Sequence, residues 1–239
     1  MPSLSELKIK LFLDGAEIGA MRRMVERPEI GGFTTNPSLL RKAGVNDYAA
    51  FAREAIAAVG NRSISFEVLA DDFATMEREA RAIAAWGGNA YVKIPIQNTK
   101  GESAGPLIAR LAKDGLRLNV TVIFTRTQVK IAAAALSHET PSIVSVFAGR
   151  VADAGIDPVP MMREAADILR GNPRAELLWA SPRELLNIVQ AEECGCRIIT
   201  ATEDMLNKLH LLGKDPDDLA LEGVKIFCRD AAASGLRVL

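Results

Sequence analysis

The chain has 239 residues, with 29 Lys+Arg against 30 Asp+Glu and a formal net charge of -1. Hydrophobic residues make up 49% and charged residues 25%, a globular composition that excludes general disorder and a fibrous protein. The balanced charge excludes the footprint of a nucleic-acid binder or of a protein held on an anionic membrane, and no apolar run approaches the roughly 20 residues that span a bilayer.

The opening MPSLSELKIKLFLDG lacks a basic run, a long apolar core and an A-x-A site, so it does not read as a secretory signal. The cysteines are Cys194, Cys196 and Cys228. An odd number without a signal reads as reduced thiols in the cytoplasm. The Cys194-x-Cys196 spacing suits neither a zinc knuckle nor a thioredoxin-type pair. His138 and His210 lie in polar, helix-like stretches. Neither GxxxxGK[ST] nor GxGxxG occurs. The sequence therefore predicts no metal and no cofactor.

Eight β-rich apolar runs follow in chain order: KIKLFLDG, GGFTTN, SISFEVL, AYVKIP, RLNVTVIF, SIVSVFAG, AELLWAS and RIITATE. Amphipathic stretches lie between them, among them DDFATMEREARAIAAW, GPLIARLAKDG, TRTQVKIAAAAL, PVPMMREAADILR and PRELLNIVQAEECG. Thr125 followed by Gln128 predicts a capping box. Connections are short and no linker divides the chain. Alternating strands and helices imply parallel strands with crossover helices. Eight such units in a chain of this length predict an α/β fold, a single (β/α)8 TIM barrel spanning residues 1–239.

Period-2 alternation within the strands places an apolar face toward the helices and a polar face inward. Thr34 and Asn36 share a side in strand 2, as do Ser63, Ser65 and Glu67 in strand 3. Asn119 and Thr121 share one in strand 5, Ser145 and Phe147 in strand 6, and Thr200 and Thr202 in strand 8. Inside a closed barrel such groups are costly unless they are hydrogen-bonded. Asp14, Asn36 and Glu67 also sit toward the C-terminal strand ends, where barrel active sites lie.

Lys93 carries the most chemistry. It sits mid-strand between Val92 and Ile94. It could snorkel out at the strand end, but the neighbouring Ile94-Pro95-Ile96 leaves little polar surface. A desolvated lysine becomes a neutral amine more readily, and such an amine attacks carbonyls to form Schiff bases. Lys8 and Lys10 start strand 1, at the structural end. Asp14 and Glu67 supply carboxylates for proton transfer without a metal. Alternatively, Asp14 is a helix N-cap and Glu67 an ion-pair partner of Lys93 or of an arginine. Asn36, Asn119, Thr121 and Ser145 add neutral donors and acceptors suited to a polyhydroxylated substrate. Arg150 and Arg183 follow strands 6 and 7, where barrel loops bind phosphate and arginine forks suit it; a solvated surface position is the other reading of each.

The motifs FTTNPS (33–38), LFLDG ending in Asp14, FEV around Glu67, YVKIP around Lys93, LNVT with IF, VSVFAGR (144–150) and WASPRE (179–184) resemble the transaldolases in order and spacing, from about residue 11 to about residue 209. The chain length is similar to that of the short subfamily, which also contains the fructose-6-phosphate aldolases. The resemblance implies a metal-free barrel with Lys93 as the Schiff-base lysine. It implies Asp14 as the acid/base at the C4 hydroxyl, and Glu67 acting through a water positioned by Thr121. Asn36, Asn119 and Ser145 would hold the three-carbon unit, Thr35 and Phe147 would be further substrate-binding residues, and Arg150, Ser181 and Arg183 would bind the phosphate. Partners would be sugar phosphates, with no nucleic acid and no membrane, and the protein a cytoplasmic homo-oligomer. Aldolases of the subfamily resemble one another in having Gln at position 67 and Tyr at position 147. Glu67 and Phe147 instead match the transferases. The alternatives are a lyase releasing free dihydroxyacetone and a sugar-phosphate-binding barrel without catalysis.

Departures from the family pattern are Gly15-Ala16 after Asp14, Tyr91, Trp179 and Pro182. Trp179, two residues before Ser181, and Tyr91, two before Lys93, are expected to reshape the pocket if they point inward. The C-terminal GVKIFCRDAAASGLRVL is expected to hold little of the helix that relatives use for subunit contacts.

Overall fold

The structure, a computed structural model, describes residues 6–238. In chain order the elements are β1 (Lys10–Asp14), α1 (Ile18–Val25), β2 (Ile30–Thr34), α2 (Pro37–Lys42), α3 (Tyr48–Val59), β3 (Ser63–Glu67), α4 (Phe73–Ala84) and β4 (Ala90–Pro95). They continue with α5 (Gly105–Lys113), β5 (Leu118–Ile123), α6 (Arg126–Ala135), β6 (Ser142–Val146), α7 (Ala148–Asp153), α8 (Val159–Leu169), β7 (Ala175–Trp179), α9 (Leu186–Glu193), β8 (Ile198–Ala201), α10 (Glu203–Leu206) and α11 (Pro216–Ser234). Each strand pairs in parallel with the next, and β8 returns to β1, so the sheet is a closed barrel. Helices cover its outside, and the architecture is (β/α)8. Among the described residues no helix is long and apolar enough to cross a membrane.

Alternation within the strands builds two cores. Leu11, Leu13, Phe33, Phe66, Val92, Ile94 and Val146 face out and are buried beneath the helix layer. Phe12, Ile143, Leu178, Ala180 and Ile198 face in and form a smaller core, with Tyr91 and Phe147 packed against it. Burying such side chains contributes about 1.5–3 kcal/mol each. Gly32 makes the inner core possible. A Cβ there would lie 2.5 Å from the Phe12 ring and 2.6 Å from Ser63 Oγ.

Local signals explain the helix boundaries. Thr125 Oγ1 accepts from Gln128 N, and the Gln128 side chain accepts from Thr125 N, the capping box read from the sequence. α9 starts at Leu186, later than its amphipathic pattern suggests, because Arg183 N and Glu184 N donate to Asn187 Oδ1 in the preceding loop. Lys10 leaves the barrel bottom and pairs with Glu176 at 2.8 Å on the exposed surface.

The C-terminal segment differs from the expectation of little helix. It forms α11, 19 residues long. Asp215 caps its start, Pro216 occupies the first turn with Asp217 and Asp218, and Gly235 ends it in the left-handed conformation. Tolerant helix formers lie between these signals. None of the residues of α11 is buried, and Leu219, Leu221, Val224, Ile226 and Phe227 are exposed.

Because Phe12 fills the space over Gly32, Gly32→Ala should destabilise the protein by about 1–3 kcal/mol, the usual cost of overpacking. Adding Phe12→Leu should recover part of that loss, since the two sites touch. Urea unfolding of the single and double variants reads both effects; equal stability of Gly32→Ala and the parent would contradict this packing.

Candidate active site

Inward side chains at the C-terminal strand ends line a cavity of about 440 Å³, a volume suited to a small metabolite. Asp14, Asn36, Glu67, Lys93, Thr121, Ser145, Phe147, Arg150, Ser181 and Arg183 all line it. Of the candidate residues, Thr35 and Asn119 do not. Both are fully buried behind the wall.

Lys93 occupies the floor, 6% exposed. The β3–β4 register sets Glu67 directly beside it. Lys93 Nζ lies 3.1 Å from Glu67 Oε2 and donates to the Thr35 carbonyl at 2.9 Å. Thr35 thus holds the lysine through its backbone, while its hydroxyl donates to Ser65 O. Burying two charges is expensive even when they pair. A barrel interior that retains them points to chemistry. Glu67 is therefore an ion-pair partner of Lys93, as one of the sequence alternatives had it, and also a cavity-facing carboxylate.

Asp14 ends β1 and lines the same cavity as Lys93. Thr34 Oγ1 donates to its Oδ1 at 2.8 Å, and Asn36 Nδ2 approaches its Oδ2 at 3.4 Å. Asn36 Oδ1 also accepts from Leu39 N and caps α2, so this one side chain is oriented at both ends. Asp14 itself caps no helix: the residue before α1 is Glu17, which makes no side-chain capping bond. Burial pushes the Asp14 carboxyl above the usual carboxylate range. The nearby Lys93 charge and the Thr34 and Asn36 hydrogen bonds oppose that shift. A chain of neutral groups runs beneath: Ser145 Oγ donates to Asn119 Oδ1 at 2.6 Å and Asn119 Nδ2 to Ser65 Oγ at 3.0 Å. Thr121 Oγ1 is buried without a hydrogen-bond partner among the described residues.

The rim is cationic. Arg150 stacks over the Phe147 ring, 5.2 Å from its centroid. Arg183 Nε donates to Asp153 Oδ1 at 2.8 Å, and its Nη2 to Asp153 Oδ2. The two rim loops meet at Gly149, where a Cβ would fall 1.5 Å from the Ser181 carbonyl oxygen. Only glycine permits that approach, which brings Arg150 close to Ser181 and Arg183.

Backbone strain re-aims two wall residues. Val122 (φ 60°) and Ser181 (φ 59°) are the non-glycine residues with left-handed φ among those described. Both line the cavity. The β5–β6 register shifts between Val120 and Ile123, so Val122 sits in a bulge. Such conformations are costly for a β-branched residue and cluster at functional sites. Simple alternation places Val122 on the outward face of strand 5 and so missed it, whereas Ser181 was already among the candidates.

Trp179 and Tyr91 do not line the cavity. Trp179 is fully buried in the outer core with Leu177. Leu178 in β7 and Ala180 just after it face inward, and the left-handed conformation at Ser181 returns that residue to the cavity. Tyr91 lies inside the barrel near Phe12 and Ile143, two residues before Lys93. Trp179 points outward and so does not meet the condition for reshaping the pocket, whereas Tyr91 points inward but packs against the inner core and is not among the lining residues. Thr34 and Thr200 line the cavity as well; the alternation in strands 2 and 8 carried their signal.

The chain matches the family model described as Transaldolase/Fructose-6-phosphate aldolase over residues 11–235. A probable transaldolase from Roseiflexus sp. (strain RS-1) is 37% identical over 201 residues, 84% of this chain and 88% of that protein. One from Thermoanaerobacter sp. (strain X514) is 33% identical over 231 residues, covering 96% of this chain and 100% of that protein. Among solved structures, dihydrodipicolinate synthase from Rhodopseudomonas palustris superposes with a TM-score of 0.57 at 14% identity, covering 95% of this chain and 78% of that one. A HpcH/HpaI aldolase/citrate lyase family protein from Burkholderia cenocepacia J2315 gives 0.58 at 13% identity, covering 91% and 95%. These two likenesses are of fold alone.

The raised Asp14 carboxyl has a consequence for stability. The folded chain binds this proton more readily than the unfolded chain, so the contribution is fully present below the unfolded carboxylate value of about 3.9 and is lost as pH rises through the higher folded value. Ionised Asp14 thus opposes folding at neutral and alkaline pH. Asp14→Asn should raise Tm at pH 8, by about 2–4 °C for each 1 kcal/mol relieved, and the gap should close on acidification. Thermal melts from pH 4 to pH 8 test this; a variant less stable than the parent at pH 8 would contradict it.

Proposed function

The chain belongs to the transaldolase/fructose-6-phosphate aldolase family, and within it we propose a metal-free transferase that moves a dihydroxyacetone unit from a ketose phosphate to an aldose phosphate through a Schiff base on Lys93. Fructose 6-phosphate and sedoheptulose 7-phosphate are donors of the right class. The carrying observation is the buried Lys93 amine, in contact with Glu67 and facing Asp14 inside one cavity.

Glu67 lies where it can take the Lys93 proton, freeing the amine to attack the C2 carbonyl. The carbinolamine then loses water to give the protonated imine. Thr121 Oγ1, which has no hydrogen-bond partner among the described residues, is available to hold that water against Glu67. Asp14 accepts the C4 hydroxyl proton as the C3–C4 bond breaks. The electron pair of that bond moves into the imine and gives an enamine. The aldose phosphate leaves, another enters, and the steps reverse. A carboxylate whose proton affinity is raised by burial suits this acid/base exchange. Asn36 and Ser145 offer hydrogen bonds to the three-carbon unit, and Phe147 offers no hydroxyl to protonate the enamine.

Arg150, Ser181 and Arg183 form the phosphate end of this reading. Asp153 engages two of the five N–H groups of the Arg183 fork, leaving others for a phosphate. Pathway and compartment follow the substrates: carbohydrate metabolism of the pentose phosphate type, in the cytoplasm. The reading includes a homo-oligomer in which another copy covers the apolar side chains of α11.

Lys93→Met should abolish turnover and borohydride trapping of fructose 6-phosphate, read by intact-protein mass spectrometry, while the circular dichroism spectrum stays that of the parent. Trapping that persists in this variant would refute the Schiff-base assignment. In the parent, transfer to a four-carbon aldose phosphate should be much faster than release of free dihydroxyacetone; equal rates would favour the lyase.

The phosphate clamp is tested separately. A charge-assisted contact contributes about 1.5–3 kcal/mol, so Arg150→Ala and Arg183→Ala should each raise KM for a phosphorylated acceptor about 10-fold or more. An unphosphorylated aldehyde should be affected far less. Equal effects on both acceptors would remove that arginine from the site.

A further inference from the structure

The side chain that faces Asp14 most directly is a threonine hydroxyl with a second threonine behind it. Thr34 Oγ1 lies 2.8 Å from Asp14 Oδ1 and 2.6 Å from Thr200 Oγ1. All three residues line the cavity. Thr34 is 2% exposed and Thr200 6%. The β1–β2 register sets Asp14 opposite Thr34, and the β1–β8 register sets Phe12, two residues earlier on the same face, opposite Thr200. The two hydroxyls therefore come from the strands on either side of β1 and meet beneath the carboxylate.

Hydrogen counting gives this contact a direction. A threonine hydroxyl has one hydrogen and can accept two. An ionised carboxylate only accepts. With Asp14 ionised, the Thr34 hydrogen points to Oδ1 and none remains for Thr200. The 2.6 Å contact is then made by Thr200 donating to Thr34. Both hydrogens run toward the carboxylate, and each bond polarises the next. When Asp14 carries a proton it can donate to Thr34 instead, and the chain turns round, with Thr34 donating to Thr200.

We propose that Thr200 is a positioning residue which, acting through Thr34, orients the two-hydroxyl chain toward Asp14 and so favours the proton-accepting form of that carboxylate. The inference rests on the transferase reading for its consequence in catalysis, but the hydrogen-bond chain stands on the geometry alone. The other charged groups near Asp14 are Lys93 and Glu67 within the cavity. Glu17, Lys42, Glu203 and Asp204 line a small cleft on its far side, and Arg150 and Arg183 lie at the rim. Removing the Thr200 hydroxyl alters none of these charges.

The test compares Thr200→Val, which keeps the shape and removes the hydroxyl, with Thr200→Ser, which keeps the hydroxyl. Asp14 titration is followed by NMR of aspartate labelled with 13C at the carboxyl carbon, and Asp14→Asn assigns the signal. The same variants are assayed for kcat/KM against pH with fructose 6-phosphate and a four-carbon aldose phosphate, and for borohydride trapping. In Thr200→Val the Asp14 midpoint should move up by about half a pH unit or more, roughly a 3-fold change in proton affinity by the usual conversion. The acid limb of kcat/KM should move with it, so the loss of rate is concentrated at low pH. Thr200→Ser should restore the parent midpoint. Trapping on Lys93, which does not use Asp14, should not show the same acid shift.

An unmoved midpoint in Thr200→Val would overturn the proposal whether or not the protein turns over. A midpoint shifted equally in Thr200→Ser would also overturn it, since that would be a packing effect. If the midpoint moves as expected but neither turnover nor trapping occurs in the parent, the hydroxyl chain holds and the transferase reading fails.

Discussion

The whole arrangement depends on keeping one lysine and two carboxylates nearly dry at the mouth of a closed barrel. Lys93, Glu67 and Asp14 stand on three of four consecutive strands, and the one cation makes the two carboxylates tolerable. Glu67 pairs directly with Lys93 at 3.1 Å, while Lys93 opposes the effect of burial on Asp14. Removing Lys93 would leave both carboxylates uncompensated, an expensive situation for buried charges. A closed barrel suits this set because its strands fix the separations. A one-residue slip in β4 would carry Lys93 to the outer face and leave Glu67 without a partner.

The inner core below and the strained loops above serve that set of charges from opposite sides. Phe12 fills the barrel beneath the site and can do so because residue 32 has no side chain. Above it, the left-handed residues Val122 and Ser181 bend two strand ends inward. The contact of Gly149 with the Ser181 backbone ties the β6 and β7 loops together. Strain there is affordable only because the surrounding packing is dense. The rim gains from it a pair of arginines on neighbouring loops, one steadied by an aromatic ring and one by Asp153.

Most of this was legible in the sequence because alternation and strand ends encode it directly. Seven of the eight strands fall within the apolar runs and β2 starts one residue before its run, at Ile30, and Asp14, Glu67 and Lys93 stand out as polar residues at positions that face the interior. What could not be read depends on closure or on broken alternation. Thr200 shares its side of strand 8 with Thr202, but its bond to Thr34 spans 166 residues and exists only because β8 returns to β1. Trp179 looked like a wall residue because it lies two before Ser181. The left-handed turn at Ser181 breaks the count, sending Trp179 outward while Ser181 remains at the cavity. Val122 reads as an ordinary strand valine, since nothing in its own chemistry announces a bulge. The helical C-terminus was underestimated because its pattern lacks the buried stripe by which amphipathic helices are recognised; its caps, Asp215 and Gly235, were the better signal.

The cavity is also divided by chemistry. The wall formed by β1, β2 and β8 carries Asp14, Thr34, Asn36 and Thr200, so every group there can give or take a hydrogen bond. The wall formed by the ends of β6 and β7 carries Phe147, Leu178 and Ala180, whose side chains can do neither, and the Ser145 hydroxyl beside them turns its hydrogen to Asn119 Oδ1. Lys93 stands between them. In the transferase reading this division has a direct meaning. The C4 hydroxyl must meet the hydrogen-bonding wall, because its proton has to leave as the carbon–carbon bond breaks. The enamine that remains must be kept from proton donors until an aldehyde arrives, and an apolar wall beside it does that by exclusion rather than by any specific contact. In that reading, transfer instead of release follows from where hydroxyls are missing as much as from where they are placed.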